Sequence, residues 1–165
     1  MPNIVNFNHG RGSFSEVIMR NTIRWYEQQQ IALIHQSLPE WTKQKLQFRT
    51  NRSVQCDYIG LFASHYVELE VKETNQQSFC LYSIKPHQWR RLTMVLRHGG
   101  ISFLLLCFSE QQLFFLVPFA TIQNRSRRFT LTIPDLVKIG YQLTLTHHLT
   151  FNLIEKIRIV IDRNH

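Results

Sequence analysis

The chain has 165 residues, 44% hydrophobic and 18% charged, and its 19 Lys+Arg against 11 Asp+Glu give a formal net charge of +8. That length suits one domain with a real core, and the longest apolar stretch, residues 101–108, is under half of what a bilayer span needs. The first residues lack a signal-peptide pattern, and Cys56, Cys80 and Cys107 are too far apart for a disulfide framework or a zinc ligand set, so the expectation is core thiols in a reducing cytoplasm and a polyanionic partner, nucleic acid before membrane.

"SFSEVIMRNTIRWYEQQ" predicts a helix over 13–29, with Phe14, Val17, Ile18, Asn21 and Trp25 on one face and a capping box from Ser13 to Glu16. "IALIH" (31–35) reads as a short buried strand. Residues 37–55 follow, polar and basic with Lys43, Lys45, Arg49 and Arg52, too long for an ordinary connection and therefore a projecting or unstructured segment. "CDYIGLF" and "HYVELEVK" predict a hairpin whose second strand alternates Val67, Leu69, Val71 against Glu68, Glu70, Lys72. Residues 85–100 predict a helix ending at a glycine pair, with Trp89, Leu92, Val95 and Leu96 inward. "ISFLLLCF" reads as a strand covered on both faces, "QLFFLVP" as its returning neighbour, and Pro134, Gly140 and "LIEKIRIVID" mark the closing helices of a single α/β domain with a mixed sheet.

A basic chain that crowds Glu68, Glu70 and Glu73 around Lys72 is expected to hold something positive there. If the hairpin turns at Ala63–Ser64, antiparallel pairing sets Asp57 opposite Glu70, with β-carbons about 4.5–5.5 Å apart. At an effective dielectric near 20 two carboxylates roughly 5 Å apart repel by about 3 kcal/mol, so such a pair calls for a shared proton or a cation. All-oxygen donors favour Mg²⁺, with Mn²⁺ as a substitute, and a metal beside a lysine suits phosphodiester hydrolysis. The bland alternative is a solvated edge-strand face with Asp57 unrelated to it.

Asp57…Glu70-Val71-Lys72 resembles the PD-(D/E)xK nuclease motif, with Cys56 where a proline often stands. More closely, "RGSFSE" (11–16), "IALIH" (31–35), "CDYIG" (56–60), "ELEVKET" (68–74), "HQWRRL" (87–92), "RHGGISFLL" (97–105) and "IPDLVKIGY" (133–141) resemble, in order, the RecU-type Holliday junction resolvases. The resemblance implies a restriction-endonuclease-like α/β fold, a mixed central sheet flanked by helices, and a homodimeric, Mg²⁺-dependent endonuclease of recombination and repair that leaves 5′-phosphate ends. It implies that Asp57, Glu70 and the Val71 carbonyl hold the metal and that Lys72 is catalytic. Glu16 matches a family acid that acts on the metal through water, or else caps its own helix. Gln88 matches an orienting glutamine, or is a surface residue.

Arg11 matches as a phosphate contact or an exposed loop residue, and Arg90, Arg91 and Arg97 would form a phosphate-binding or merely solvated helix face. His87 and His98 suit phosphate contact or helix capping rather than catalysis. The family's partners would be four-way junction DNA, a recombinase and branch-migration proteins, in the cytoplasm at the nucleoid. The segment 37–55 corresponds to the family's stalk but is shorter, which bears on junction selectivity more than on cleavage. The alternatives are a less selective nuclease with the same site, and a junction-binding or recombinase-modulating protein with weak catalysis.

Overall fold

The computed structural model describes residues 14–37 and 56–163. In chain order it contains α1 (Phe14–Gln28), β1 (Leu33–Gln36), β2 (Tyr58–Phe62), β3 (His65–Thr74), β4 (Ser78–Cys80), α2 (Pro86–Arg97), β5 (Ile101–Phe108), β6 (Leu113–Pro118), β7 (Thr130–Thr132), α3 (Ile133–Ile139), β8 (Tyr141–Leu143) and α4 (Leu153–Arg163). Six strands make the main sheet in the order β1-β2-β3-β5-β6-β8, and β4 pairs with β7 in a small second sheet. Every pairing is antiparallel except β3 with β5, whose crossover carries β4 and α2 over one face.

Strand alternation divides the core. All eight residues of β5 are buried, because Phe103, Leu105 and Cys107 point into the cluster beneath α1 and α4, while Leu104, Leu106 and Phe108 point into the cluster beneath α2 and α3. The restriction-endonuclease-like arrangement expected from the sequence, a mixed central sheet between helical layers, is the one observed.

The β2–β3 hairpin has the expected register, from Phe62 opposite His65 to Tyr58 opposite Leu69. Its turn places Ala63 (φ 46°) and Ser64 (φ 65°) both in the left-handed region, which matches the twist of two-residue hairpins despite the absence of glycine. At the end of α2, Gly99 (φ 79°) supplies the left-handed cap that the glycine pair suggests.

Three readings need correction. The buried stripe of α1 is Ser15, Ile18, Met19, Thr22 and Tyr26, rotated from the Phe14–Trp25 face. The rotation follows from polar groups that hold backbone: the Thr22 hydroxyl donates to Ile18 O and accepts from Phe151 N–H, and the Tyr26 hydroxyl donates to Phe151 O and accepts from Ile154 N–H. β1 begins at Leu33 and buries only Ile34, because it is the sheet edge rather than an interior strand. Cys56 and Cys107 are core thiols, whereas Cys80 is partly exposed at the small sheet. The Ser13 cap, Arg11, and Lys43, Lys45, Arg49 and Arg52 of the segment expected to project or to lack structure lie outside the described residues.

Candidate active site

Glu68, Glu70 and Lys72 share the face of β3 that looks toward α2, as strand alternation requires. That face is covered, not solvated: Glu68 and Glu70 are 0% and 1% exposed, because α2 lies over them. The bland edge-strand alternative therefore fails. Glu73 points the other way, toward α1, where it accepts from the Ser15 hydroxyl at 2.8 Å. Of the three crowded acids, each meets a different partner.

Glu68 is neutralised from within the chain. Arg91 on α2 reaches both of its carboxylate oxygens, with Nε at 2.9 Å from each, and the Tyr66 hydroxyl donates to it at 2.5 Å. Burial alone would raise the Glu68 carboxyl, but the Arg91 and Tyr66 hydrogen bonds overcome it and hold the group below the usual range. The same bonds raise Arg91. Arg91 is thus turned inward, unlike the exposed Arg90 and Arg97 on the same helix.

Glu70 has no such arginine. Its Oε1 accepts from the Lys72 ammonium at 2.7 Å and from the Gln88 side-chain amide, while its Oε2 is buried without a partner. Asp57, at the entry to β2, is fixed across from it by the Val71 N–H at 2.9 Å. Burial first, and then the Asp57 charge, push the Glu70 carboxyl up to about 7 against the opposing pull of Lys72. Nearby Tyr58 is likewise pushed up to about 12, by burial and then by Asp57 and Glu16.

Gln88 is positioned by the helix start. Pro86 begins α2, and three residues after the Lys85 cap the Gln88 Oε1 accepts the Lys85 N–H at 3.0 Å, which leaves its amide nitrogen for Glu70. A cleft of about 270 Å³ brings Asp57, Glu70, Val71, Lys72, Gln88 and Glu16 together, and adds Ser15, Gln36, Tyr58, Glu73 and Lys85. Glu16 is exposed on the first turn of α1 at the cleft rim. Pro86 with a glutamine two residues later was a readable signal for the Lys85–Gln88 cap; Ser15, Gln36 and Tyr58 left no comparable signal in the sequence.

Comparison with known proteins places the chain in a family. The family model for Recombination protein U, RecU, matches residues 10–159. The chain belongs to the RecU family. A RecU Holliday junction resolvase from Ureaplasma parvum is 33% identical over 79 residues, which cover 48% of this chain and 46% of that protein. One from Mycoplasmopsis pulmonis is 23% identical, covering 82% of this chain and 86% of its own length. The chain spans about half the length of the RecU relatives it matches at 32–33% identity in Ureaplasma parvum and Limosilactobacillus reuteri. Among solved structures, Hjc of Archaeoglobus fulgidus, a Holliday junction resolvase, superposes with a TM-score of 0.52 at 11% identity, over 76% of this chain and 93% of its own. That likeness concerns the fold alone.

Proposed function

We propose that this RecU-family chain is a divalent-metal-dependent endonuclease that resolves Holliday junctions in recombination and repair, cutting to leave 5′-phosphate ends. One observation carries the reading: Glu70 has one oxygen held by Lys72 and Gln88 and the other buried and bare, in a carboxyl that faces the charge of Asp57. A buried carboxylate oxygen without a donor is costly unless something positive meets it.

The donors fit Mg²⁺ or Mn²⁺. Among the described residues no group of three or more His, Cys, Asp or Glu side chains suited to a metal occurs. Two carboxylates and a main-chain carbonyl, that of Val71, suit a hard cation that keeps several waters, and would hold it. Bound there, it would supply Lewis acidity toward phosphate oxygens and water.

The chain's own groups do the rest. The Val71 N–H fixes the Asp57 carboxylate, and Gln88 fixes that of Glu70, so neither reorganises when the substrate arrives. The Lys72 ammonium, 19% exposed at the cleft, is free to turn from Glu70 toward the phosphate or the attacking water. Glu16 on the rim would hold water at the cation's outer side. Arg90 and Arg97, exposed on α2, would take duplex phosphates, joined by Arg11 and by Lys43, Lys45, Arg49 and Arg52.

Two matched cuts need two sites and this chain offers one, so the active form would be a homodimer. The cytoplasm and its nucleoid are the corresponding setting, with a recombinase and branch-migration proteins as partners. Among the described residues no helix is long and apolar enough to cross a membrane.

The decisive experiment incubates purified protein with a labelled four-way junction and a matched linear duplex, with and without Mg²⁺. Paired nicks on the junction alone, in Mg²⁺ alone, are expected; equal cutting of both substrates would make it an unselective nuclease. Sedimentation showing only monomer, free and on DNA, would overturn the dimer.

A further inference from the structure

Beside the cleft lies a basic and aromatic surface that the cutting chemistry does not use. Tyr82 is 70% exposed, three residues before cleft-lining Lys85, and the turn that carries it is stitched to residues 125–129. Leu81 N–H donates to Phe129 O at 3.0 Å, β4 pairs with β7 directly behind, and Arg127 donates to the carbonyls of Tyr82 and Ile84. The Arg127 guanidinium also faces the rings of Tyr82, at 5.5 Å, and Trp89, at 5.7 Å. Arg125 stands 4.7 Å over the ring of Phe129, which is 37% exposed, and Arg128 is exposed between them.

Arg125, Arg127 and Arg128, three arginines within four residues, concentrate positive charge and make no ion pair among the described residues, where the pairs are Lys72–Glu70, Arg91–Glu68 and Lys156–Glu155. Asp135, which feels the field of Arg125, has its carboxylate engaged by the Thr132 N–H and hydroxyl. Large exposed rings set among guanidiniums that make no ion pair are suited to flat faces flanked by negative charge, and an unstacked nucleotide has both. A plain duplex offers the charge but keeps its base faces covered.

We propose that this platform receives the DNA strand as it leaves the cleft, with Tyr82 stacking on a base unpaired beside the cut and Arg125 and Arg128 holding the adjoining phosphates. Three residues separate Tyr82 from Lys85 in the cleft lining, a span of at most about 11 Å, so the platform lies within reach of a strand whose phosphate is held at Glu70 and Lys72. The platform would favour branched or frayed DNA over intact duplex, independently of the segment 38–55.

This inference rests on the cleft being a DNA site, so the test reads binding in EDTA, where no cutting occurs. Fluorescence anisotropy compares a duplex carrying a single-stranded flap with the matched plain duplex. Tyr82→Ala is expected to weaken flap binding roughly tenfold and plain-duplex binding by less than about twofold, with the salt slope unchanged. Tyr82→Phe, which keeps the ring, should restore flap binding. Arg125→Gln with Arg128→Gln should flatten the salt dependence on both probes, by up to about 0.9 log units for each lost phosphate contact.

Tyr82 and Arg128 are exposed, and an unchanged melting temperature confirms that their variants fold. Equal losses on both probes, or no loss, with Tyr82→Ala would overturn the platform. A protein that prefers the flap through Tyr82 yet never nicks a junction in Mg²⁺ would overturn the nuclease reading and leave the platform standing.

Discussion

Glu68 and Glu70 sit two residues apart on one face of β3, equally buried beneath α2, and behave in opposite ways. Glu68 is met by an arginine on both oxygens and lies below the ordinary carboxylate range; Glu70 faces a second carboxylate, keeps one oxygen bare, and is pushed up to about 7. Burial is common to both, so it does not make a site. What differs is how far the protein supplies the countercharge: an arginine meets both oxygens of Glu68, whereas Glu70 has a lysine on one oxygen only and a second carboxylate beside it. Glu68 ties α2 to the sheet, and Glu70 is what that tie positions.

The comparison breaks first on activity. Lys72→Ala and Glu70→Ala should each lower junction nicking by about 10²–10³-fold or more while leaving junction affinity in EDTA nearly intact, because affinity comes from dispersed cations. If nicking and binding fall together, these residues hold the fold instead. Arg91→Met is expected to do the reverse. It strands the buried Glu68 charge and should cost about 3–5 kcal/mol in urea unfolding, and adding Glu68→Gln should recover much of that.

The third test is pH. The folded protein holds the Glu70 proton up to about 7, whereas the ordinary value is 4.5. The folded state therefore binds more protons in that interval, and the metal-free protein should lose up to about 3 kcal/mol of stability as pH rises through it. Glu70→Gln should remove that slope, and Mg²⁺ added at pH 8 should restore stability to the wild type but not to the variant. The smallest effect is assigned to Gln88→Ala, which frees Glu70 to reorient and should slow nicking about tenfold with unchanged affinity. A Gln88→Glu change that keeps full activity would show that the amide's hydrogen bond is irrelevant.

Much of the Glu70 side of this contrast was legible in the sequence. The clean alternation after Tyr66 and the turn at Ala63–Ser64 fix a register that sets Asp57 against Glu70, and the observed pairing follows it. The Glu68 side was not legible. Its partner, Arg91, is 23 residues away on an element whose exposed and inward arginines look alike in one dimension. The α1 face failed for a related reason. Thr22 and Tyr26 look like surface residues until the backbone they hold, at 151–154, is brought to them from the far end of the chain. Periodicity reports apolar stripes, and here the buried stripe is partly polar.

The clamp of Tyr26 onto Phe151 and Ile154 has a consequence for timing. α1 carries Ser15 and Glu16 to the rim of the cleft, yet the groups that Thr22 and Tyr26 hold are 125–129 residues further along. During synthesis at roughly 5–20 residues per second, α1 leaves the ribosome on the order of ten seconds before the segment that seats it. Until then the hairpin with Asp57 and Glu70 can form, but the wall of the cleft built by α1 lacks its anchor. The order of elements along the chain thus delays completion of the cleft until nearly the whole described chain has been made.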